Sequence, residues 1–101
     1  MATKLFAKTI GVAGYRSCGF ANMSLTKAKH LQELGHVASV DESAMFDSRA
    51  DFQKWLGQNG ASYEPIEKAA GHKTSPFVFY DSKLFIGGCD DFFEWVEKAR
   101  V

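Results

Sequence analysis

The sequence predicts an α/β domain whose elements follow the order β-α-β-α-β-β-α. Two observations lead to this prediction. Short runs rich in apolar or β-branched residues alternate with longer segments in which apolar residues recur at helical spacing. The last two apolar runs are separated by little more than Asp81 and Ser82, whose side chains favour a turn, so these runs read as a β-hairpin. We therefore expect four strands with helices flanking the sheet.

The first half of the chain contains a strand, a helix and a second strand. Residues 8–13 are apolar enough to lie at the centre of a sheet, and residues 14–17 form the following loop. From Cys18 onward apolar residues recur near helical spacing until Gly35, which stands where a helix would end. Residues 37–40 are predicted to form the next strand, because they include β-branched residues and come after that glycine. The helical stripe consists of Phe20, Met23, Ala28, Leu31 and Leu34.

The second helix is predicted to follow Ser48, which begins a Ser-x-x-Asp pattern with Asp51 that is typical of helix N-termini. Gly57 and Gly60 are expected to close this helix. Residues 59–73 then form a polar linker, which is long by the usual length of loops. The apolar stripe of the helix consists of Phe52, Trp55 and Leu56.

The hairpin and a final helix complete the predicted fold. Residues 77–80 and 84–86 are the hairpin strands, and Pro76 precedes the first of them, where its missing N–H removes no ladder bond. Gly87 and Gly88 allow a tight turn into the last helix. That helix spans about residues 90–100, with Phe92, Trp95, Val96 and Ala99 on one face.

Length and composition favour one domain that spans residues 1–101. The chain is 46% hydrophobic and 24% charged, which suits a globular protein. Its 12 basic and 12 acidic residues give a net charge of zero, so nothing favours nucleic acid or an anionic membrane as a partner. With two cysteines and no secretory signal, we expect a reducing compartment, and we expect each thiol to serve chemistry or packing.

The N-terminal segment, residues 1–17, raises a question of localisation. It is basic up to Arg16 and rich in small and hydroxyl residues, as mitochondrial targeting peptides are. However, residues 9–13 are the only apolar stretch before Cys18 that could supply the first strand. We therefore expect a cytoplasmic protein and keep a mitochondrial one as the alternative.

Two motifs flank the hairpin, Thr74-Ser75-Pro76 before it and Gly87-Gly88-Cys89-Asp90-Asp91 after it. Together they resemble the C-terminal half of a glutaredoxin, which carries Thr-Val-Pro and Gly-Gly-Cys-Asp-Asp at these places. The resemblance implies a thioredoxin-like fold in its small glutaredoxin form, with a four-stranded mixed sheet.

Aligning the first strand with that of a glutaredoxin places Cys18, without a gap, on the family's nucleophilic cysteine. The local motif Cys18-Gly19-Phe20-Ala21 is similar to the Cys-Gly-Phe-Ser motif of monothiol glutaredoxins, with alanine in place of serine. Ala21 cannot act as a resolving thiol, so the dithiol type is excluded. In this family the N-terminal amides and dipole of the following helix favour the thiolate.

The resemblance also implies a glutathione site. Pro76 would be a cis proline that leaves the backbone of Ser75 free to pair with the cysteinyl part of glutathione. The amides of Cys89 and Asp90 would bind the γ-glutamyl carboxylate, an aspartate would receive the ammonium group, and Lys73 would bind the glycine carboxylate. The glutathione-binding residues expected on these grounds are Arg16, Phe20, Lys73, Ser75, Pro76, Gly88, Cys89 and Asp90.

Other features depart from a glutaredoxin. Tyr15 stands where glutaredoxins usually carry a lysine near the thiol. A second resemblance is to the Src-homology-3-binding glutamate-rich proteins, which have a thioredoxin fold and are generally thought to lack redox activity. It rests on the long first helix, on Lys54-Trp55-Leu56, on the long linker before Pro76 and on Asp90-Asp91-Phe92-Phe93-Glu94. These proteins generally lack a cysteine at the Cys18 position and the Gly-Gly-Cys-Asp motif, and this chain has both.

The leading hypothesis is a glutathione-binding, monothiol glutaredoxin-like protein that performs thiol-disulfide exchange through Cys18, with glutathione or glutathionylated proteins as partners. A non-catalytic module that binds proteins through the 59–73 linker is the alternative. A second alternative, less favoured, is an iron-sulfur cluster held between two chains by Cys18 and glutathione. His30, His36 and His72 show no spacing with the cysteines that suggests a zinc site, so no protein metal ligands are predicted.

Overall fold

The computed structural model describes residues 5–99 of the chain. Every predicted strand and helix is present, and a two-residue strand, a 3-10 helix and a short α-helix are additional. The elements are β1 (Ala7–Tyr15), α1 (Gly19–Glu33), β2 (Val37–Asp41), β3 (Met45–Phe46), α2 (Arg49–Asn59), a 3-10 helix (Gly60–Ser62), α3 (Ile66–Gly71), β4 (Phe77–Tyr80), β5 (Leu84–Gly87) and α4 (Cys89–Ala99). The predicted helix end at Arg100 and the first four residues of the N-terminal segment lie outside the described residues.

Strand β1 lies inside a mixed sheet with the order β2-β1-β4-β5. It pairs in parallel with β2 and antiparallel with β4, and β4 pairs antiparallel with β5. The additional strand β3 pairs in parallel with the end of β1, which makes five strands instead of the predicted four. Gly11 is needed in β1, because a side chain there would collide with the ring of Phe79 on β4.

Alternate residues of the central strands pack on opposite faces of the sheet, as the two-residue period of a strand requires. On one face Val12 and Val78 belong to a cluster with buried residues of α1 and α4, including Leu31 and Phe92. On the other face lies an aromatic and aliphatic cluster. Its buried members are Ala13, Ala44, Phe52, Leu56, Tyr63, Ala69, Phe77 and Phe79. Helices therefore flank both faces of the sheet.

Two of the three local signals that were used to predict helix ends are correct. The amide of Asp51 donates to Oγ of Ser48 at 3.1 Å, so Ser48 caps α2 as predicted. Gly35, with a φ of 84°, follows the end of α1. The prediction that Gly57 helps to close α2 is wrong, because the helix continues to Asn59 and Gly60 is its C-cap.

The prediction of a polar linker at residues 59–73 is also wrong. This segment contains the 3-10 helix and α3, and it buries Gly60, Tyr63 and Ala69. Glu64 connects it to the hairpin, since its amide donates to the carbonyl of Lys83 at 2.9 Å and its carbonyl accepts the amide of Phe85 at 2.8 Å. The segment is therefore packed on the sheet.

The hairpin turn has the residues that the sequence assigned to it. Asp81 adopts a φ of 54°, a left-handed conformation that aspartate tolerates better than most residues. Its amide donates to the carbonyl of Thr9 at 2.7 Å, and its Oδ1 accepts the amide of Lys8 at 2.9 Å. These bonds fix the turn against β1. Within residues 5–99, no helix has the length and apolar character needed to cross a membrane.

Candidate functional site

Cys18 is the N-cap residue of α1, so helical geometry begins at Gly19 and not at the cysteine itself. The amide of Cys18 donates to the carbonyl of Tyr15 at 3.0 Å, and its carbonyl accepts the amide of Asn22 at 3.1 Å. An N-cap side chain lies next to amides of the first helical turn that have no partner within the helix. Both Cys18 and Cys89 are free thiols.

The surroundings of Cys18 favour its thiolate. Burial, with 9% of the residue exposed, would by itself raise the pKa of the thiol. Four hydrogen-bond donors favour the thiolate: the Ser75 side chain, the amides of Ala21 and Phe20, and the Tyr15 side chain. Together they outweigh burial and hold the pKa of Cys18 below its ordinary value. Glutaredoxins usually carry a lysine at the position of Tyr15. In this chain the Tyr15 side chain provides a hydrogen-bond donor to the thiolate instead.

Ser75 connects the thiol to the segment before β4. The thiol Sγ of Cys18 donates to the carbonyl oxygen of Ser75 at 3.8 Å. The Ser75 Oγ is buried and has no hydrogen-bond partner in the described structure while Cys18 is protonated. A thiolate gives this hydroxyl an acceptor, which is why Ser75 lowers the pKa of Cys18.

The backbone around Ser75 is open to a ligand. The Ser75–Pro76 peptide bond is cis, as is Glu64–Pro65. Within the described residues, neither the N–H nor the C=O of Ser75 takes part in a backbone hydrogen bond. Pro76 lies just before β4, and its carbonyl oxygen is held at 2.8 Å from Nε2 of His72. Since a carbonyl can only accept, Nε2 of His72 carries the proton.

The turn from β5 into α4 lies across from the segment that contains Ser75 and Pro76. Gly87 has a φ of 144°, and a side chain at this position would also collide with Asp91. The amide of Gly88 donates to Oδ2 of Asp91 at 3.2 Å, which fixes the turn. The first amides of α4 follow, beginning at Cys89. A free helix N-terminus of this kind favours an anion.

A pocket of about 250 Å³ lies between the segment before β4 and the start of α4. Six of the expected glutathione-binding residues line it, namely Phe20, Ser75, Pro76, Gly88, Cys89 and Asp90. Cys18 does not line the pocket and lies at its edge, where it contacts Ser75. The structure thus brings most of the predicted site residues together around one opening.

Arg16 and Lys73 lie away from this pocket. Nε of Arg16 pairs with Oδ1 of Asp47 at 3.1 Å on the surface. Nζ of Lys73 lies 3.5 Å from the carbonyl oxygen of Ala70, and the side chain does not line the pocket. Among residues 5–99, therefore, no lysine or arginine lines the pocket.

Three lining residues were not assigned individually from the sequence: His72, Thr74 and Asp91. Thr74 and Asp91 belong to the two motifs that flank the hairpin, so their position in those motifs was a usable signal. His72 carried no such signal, because its role depends on the fold that brings its ring to Pro76 and, at 5.7 and 5.2 Å between ring centroids, to Phe77 and Phe85. Across residues 5–99, no group of three or more His, Cys, Asp or Glu side chains is placed to hold a metal ion.

Ser75→Ala tests the description of the thiol. Removing the hydroxyl takes away a donor to the thiolate, so we expect the pKa of Cys18 to rise. Because only the thiolate is alkylated, the rate of alkylation by iodoacetamide should increase at a higher pH than in the original protein. Ser17→Ala, which changes an exposed serine next to the thiol, should leave the profile unchanged. Identical profiles for Ser75→Ala and the original protein would contradict this description.

Comparison with known proteins gives one informative match. No protein-family model matches the chain, and no curated protein sequence matches it significantly. A crystal structure of glutaredoxin 1 from Francisella tularensis, complexed with cacodylate, superimposes with a TM-score of 0.60. The two sequences are 20% identical, and the alignment covers 89% of this chain and 93% of the other. The chain therefore has the predicted glutaredoxin or thioredoxin fold, and this likeness shows the fold alone.

Proposed function

We propose that this chain of glutaredoxin fold is a glutathione-dependent thiol-disulfide oxidoreductase that works with a single cysteine. The observation that carries the proposal is the position of Cys18, at the N-terminus of α1 and 3.8 Å from the carbonyl oxygen of Ser75, with its pKa lowered by surrounding donors. A thiolate at this place is a nucleophile beside an open pocket.

The proposed reaction removes glutathione from a glutathionylated protein. The Cys18 thiolate attacks the glutathione sulfur of the mixed disulfide, a bond forms between the two sulfurs, and the target protein leaves as a thiolate that takes up a proton. The thiolate of a second glutathione then attacks the glutathione sulfur held on Cys18. Glutathione disulfide leaves and the Cys18 thiolate is restored. Overall, the mixed disulfide and one glutathione give the target thiol and one glutathione disulfide, so the target sulfur is reduced and the sulfur of the entering glutathione is oxidised.

The pocket supports glutathione as the partner. The N–H of Ser75 has no backbone partner among the described residues, and its C=O accepts only the Cys18 thiol, a bond that is lost when the thiolate forms. Both groups therefore suit antiparallel pairing with the extended cysteinyl part of the tripeptide. The amides of Cys89 and Asp90 at the start of α4 suit the γ-glutamyl carboxylate. The Asp91 side chain already accepts the amide of Gly88, whereas Asp90 lines the pocket and its side chain forms no hydrogen bond or ion pair with another described residue. We therefore assign the ammonium group of glutathione to Asp90.

In the described part of the chain, no lysine or arginine lines the pocket to pair with the glycine carboxylate of glutathione. Lys73 directly precedes Thr74, a pocket residue, and its exposed ammonium would have to leave the carbonyl of Ala70 to reach the ligand. Arg16 would have to leave Asp47. In this proposal the affinity for glutathione depends mainly on Ser75 and the start of α4.

Asp90→Asn tests the proposed placement of glutathione. The substitution keeps the size of the side chain and removes the charge that faces the ammonium group. A charge-assisted hydrogen bond is worth about 1.5 kcal/mol or more, so KM for the glutathionylated peptide, whose glutathione part occupies the pocket, should rise about tenfold with kcat little changed. The measurement is steady-state reduction of a glutathionylated peptide with glutathione as the only reductant.

Asp51→Asn is the matched control, since Asp51 is an exposed aspartate in the first turn of α2 and does not line the pocket. Its KM for the glutathionylated peptide should equal that of the original protein. Equal KM values for Asp90→Asn and the original protein would contradict the assignment to Asp90. A complete absence of turnover in the original protein would contradict the proposed function and favour a non-catalytic binding module.

A further inference from the structure

A second concavity, which we call the α1–α4 groove, adjoins the proposed active site. It has a volume of about 530 Å³ and is lined by six residues on one face of α1, from Gly19 to His30, and by Phe93 of α4. Its surface is largely apolar, and Met23 in its wall is 52% exposed. An exposed apolar surface of this kind, bordered by polar residues, is typical of a binding surface.

The groove begins at the nucleophile. Gly19 lines the groove and directly follows Cys18, while the next residue, Phe20, lines the glutathione pocket and is 61% exposed. A helix rises about 1.5 Å per residue, so Lys27 lies roughly 13 Å along α1 from Cys18. An extended peptide covers about 3.3 Å per residue. A segment attached at Cys18 would therefore reach Lys27 after about four residues.

The groove carries the positive charge of Lys27. Among residues 5–99, no aspartate or glutamate lines it, and His30 is its other ionisable lining residue. Lys27 forms no ion pair among the described residues. His30 is 3.9 Å from Glu33, in the last turn of the same helix. This local excess of positive charge contrasts with the zero net charge of the chain.

We propose that the α1–α4 groove binds an extended segment of the target protein, in which an acidic side chain lies about four residues from the glutathionylated cysteine. Between these two positions, an apolar side chain of the segment packs against Met23 and Phe93. The acidic side chain pairs with Lys27. This inference rests on the proposed function for the chemistry of the cysteine, and it names the class of protein that the enzyme would select.

The test uses short peptides with serine at the cysteine position, an apolar residue in the middle, and either glutamate or lysine four residues from the serine. Peptides of both chain directions are titrated into isotopically labelled protein at low salt, and dissociation constants are read from amide chemical shifts. We expect the glutamate peptide of one direction to bind about three- to fivefold more tightly than its lysine counterpart, with shifts concentrated along residues 19–30 and at Phe93.

Matched variants test the individual contacts. Lys27→Glu should reverse the preference for glutamate, whereas Lys54→Glu, which makes the same change of charge at an exposed position of α2, should preserve it. Met23→Ser should weaken both peptides about fivefold, through lost apolar contact. Leu34→Ser removes a similarly exposed apolar side chain, 50% exposed, that lies outside the groove, and it should change nothing.

The outcomes separate this inference from the proposed function. Equal binding of glutamate and lysine peptides, or shifts outside the groove, would overturn the inference even if a glutathionylated small thiol is turned over. Selective binding that is reversed by Lys27→Glu, in a protein that does not turn over the small substrate, would support the groove and contradict the proposed reaction.

Discussion

Cys18→Ser is expected to reduce turnover of a glutathionylated peptide to the uncatalysed background, a loss of about three orders of magnitude or more. The serine hydroxyl is almost fully protonated near neutral pH, so it provides no counterpart to the thiolate that the surroundings of Cys18 favour. No mixed disulfide with glutathione can form at this position. The loss is measured by steady-state kinetics together with mass spectrometry of the protein after exposure to glutathione disulfide.

Two comparison variants show whether the position of the thiol matters. The double variant Ser17→Cys/Cys18→Ser keeps a thiol one residue earlier, on an exposed turn outside the N-cap position, and should remain inactive. Cys89→Ser retains Cys18, so its glutathione adduct should still form at residue 18. An adduct that forms only at Cys89 in the original protein, or a Cys18→Ser variant with undiminished turnover, would contradict the role given to Cys18.

Phe77→Ala is expected to cause the largest loss of stability, about 3–5 kcal/mol in the free energy of unfolding. Phe77 is 0% exposed and is the first residue of β4. Its ring contacts five other aromatic rings. The centroid distances are 5.4 Å to Trp55, 4.9 Å to Tyr63, 5.7 Å to His72, 6.3 Å to Phe79 and 4.4 Å to Phe85. Truncation leaves a cavity beneath the segment that carries Ser75 and Pro76.

The loss is measured by urea unfolding followed through tryptophan fluorescence. Phe20→Ala is the matched control, because it removes the same side chain from a position that is 61% exposed, and it should change the free energy of unfolding by less than about 0.5 kcal/mol. Similar losses for the two variants would mean that Phe77 does not anchor β4 against α2 and the 59–73 segment.

The larger elements of the fold could be predicted because each carries a local signal. Apolar runs marked the four main strands, and the Ser48 and Asp51 pattern marked the start of α2. The 59–73 segment lacked such a signal. Its α3 has six residues and buries only Ala69, so no apolar stripe indicates a helix, and long-range bonds of Glu64 connect the segment to the hairpin. Strand β3, with two residues, is too short for a period to be visible.

The candidate site could be predicted where backbone motifs define it. Ser75, Pro76 and Gly88 belong to the two motifs on which the resemblance to glutaredoxins rests, and they line one pocket. The positions of the long charged side chains could not be predicted from these motifs. Arg16 turns to Asp47, and Lys73 stays outside the pocket, because their rotamers depend on neighbours that are distant in sequence or on the local turn.

The central claim is that Cys18 is a reactive thiolate. It is tested most directly by measuring, with mass spectrometry across pH, how fast glutathione disulfide forms an adduct at this residue. A lowered pKa means that the thiolate is already formed at a pH where an ordinary thiol is still protonated. We predict a rate that rises with pH and reaches its plateau at a lower pH than that of an unfolded peptide containing Cys18. A plateau at the same or a higher pH than the peptide, or labelling at Cys89 alone, would contradict the claim.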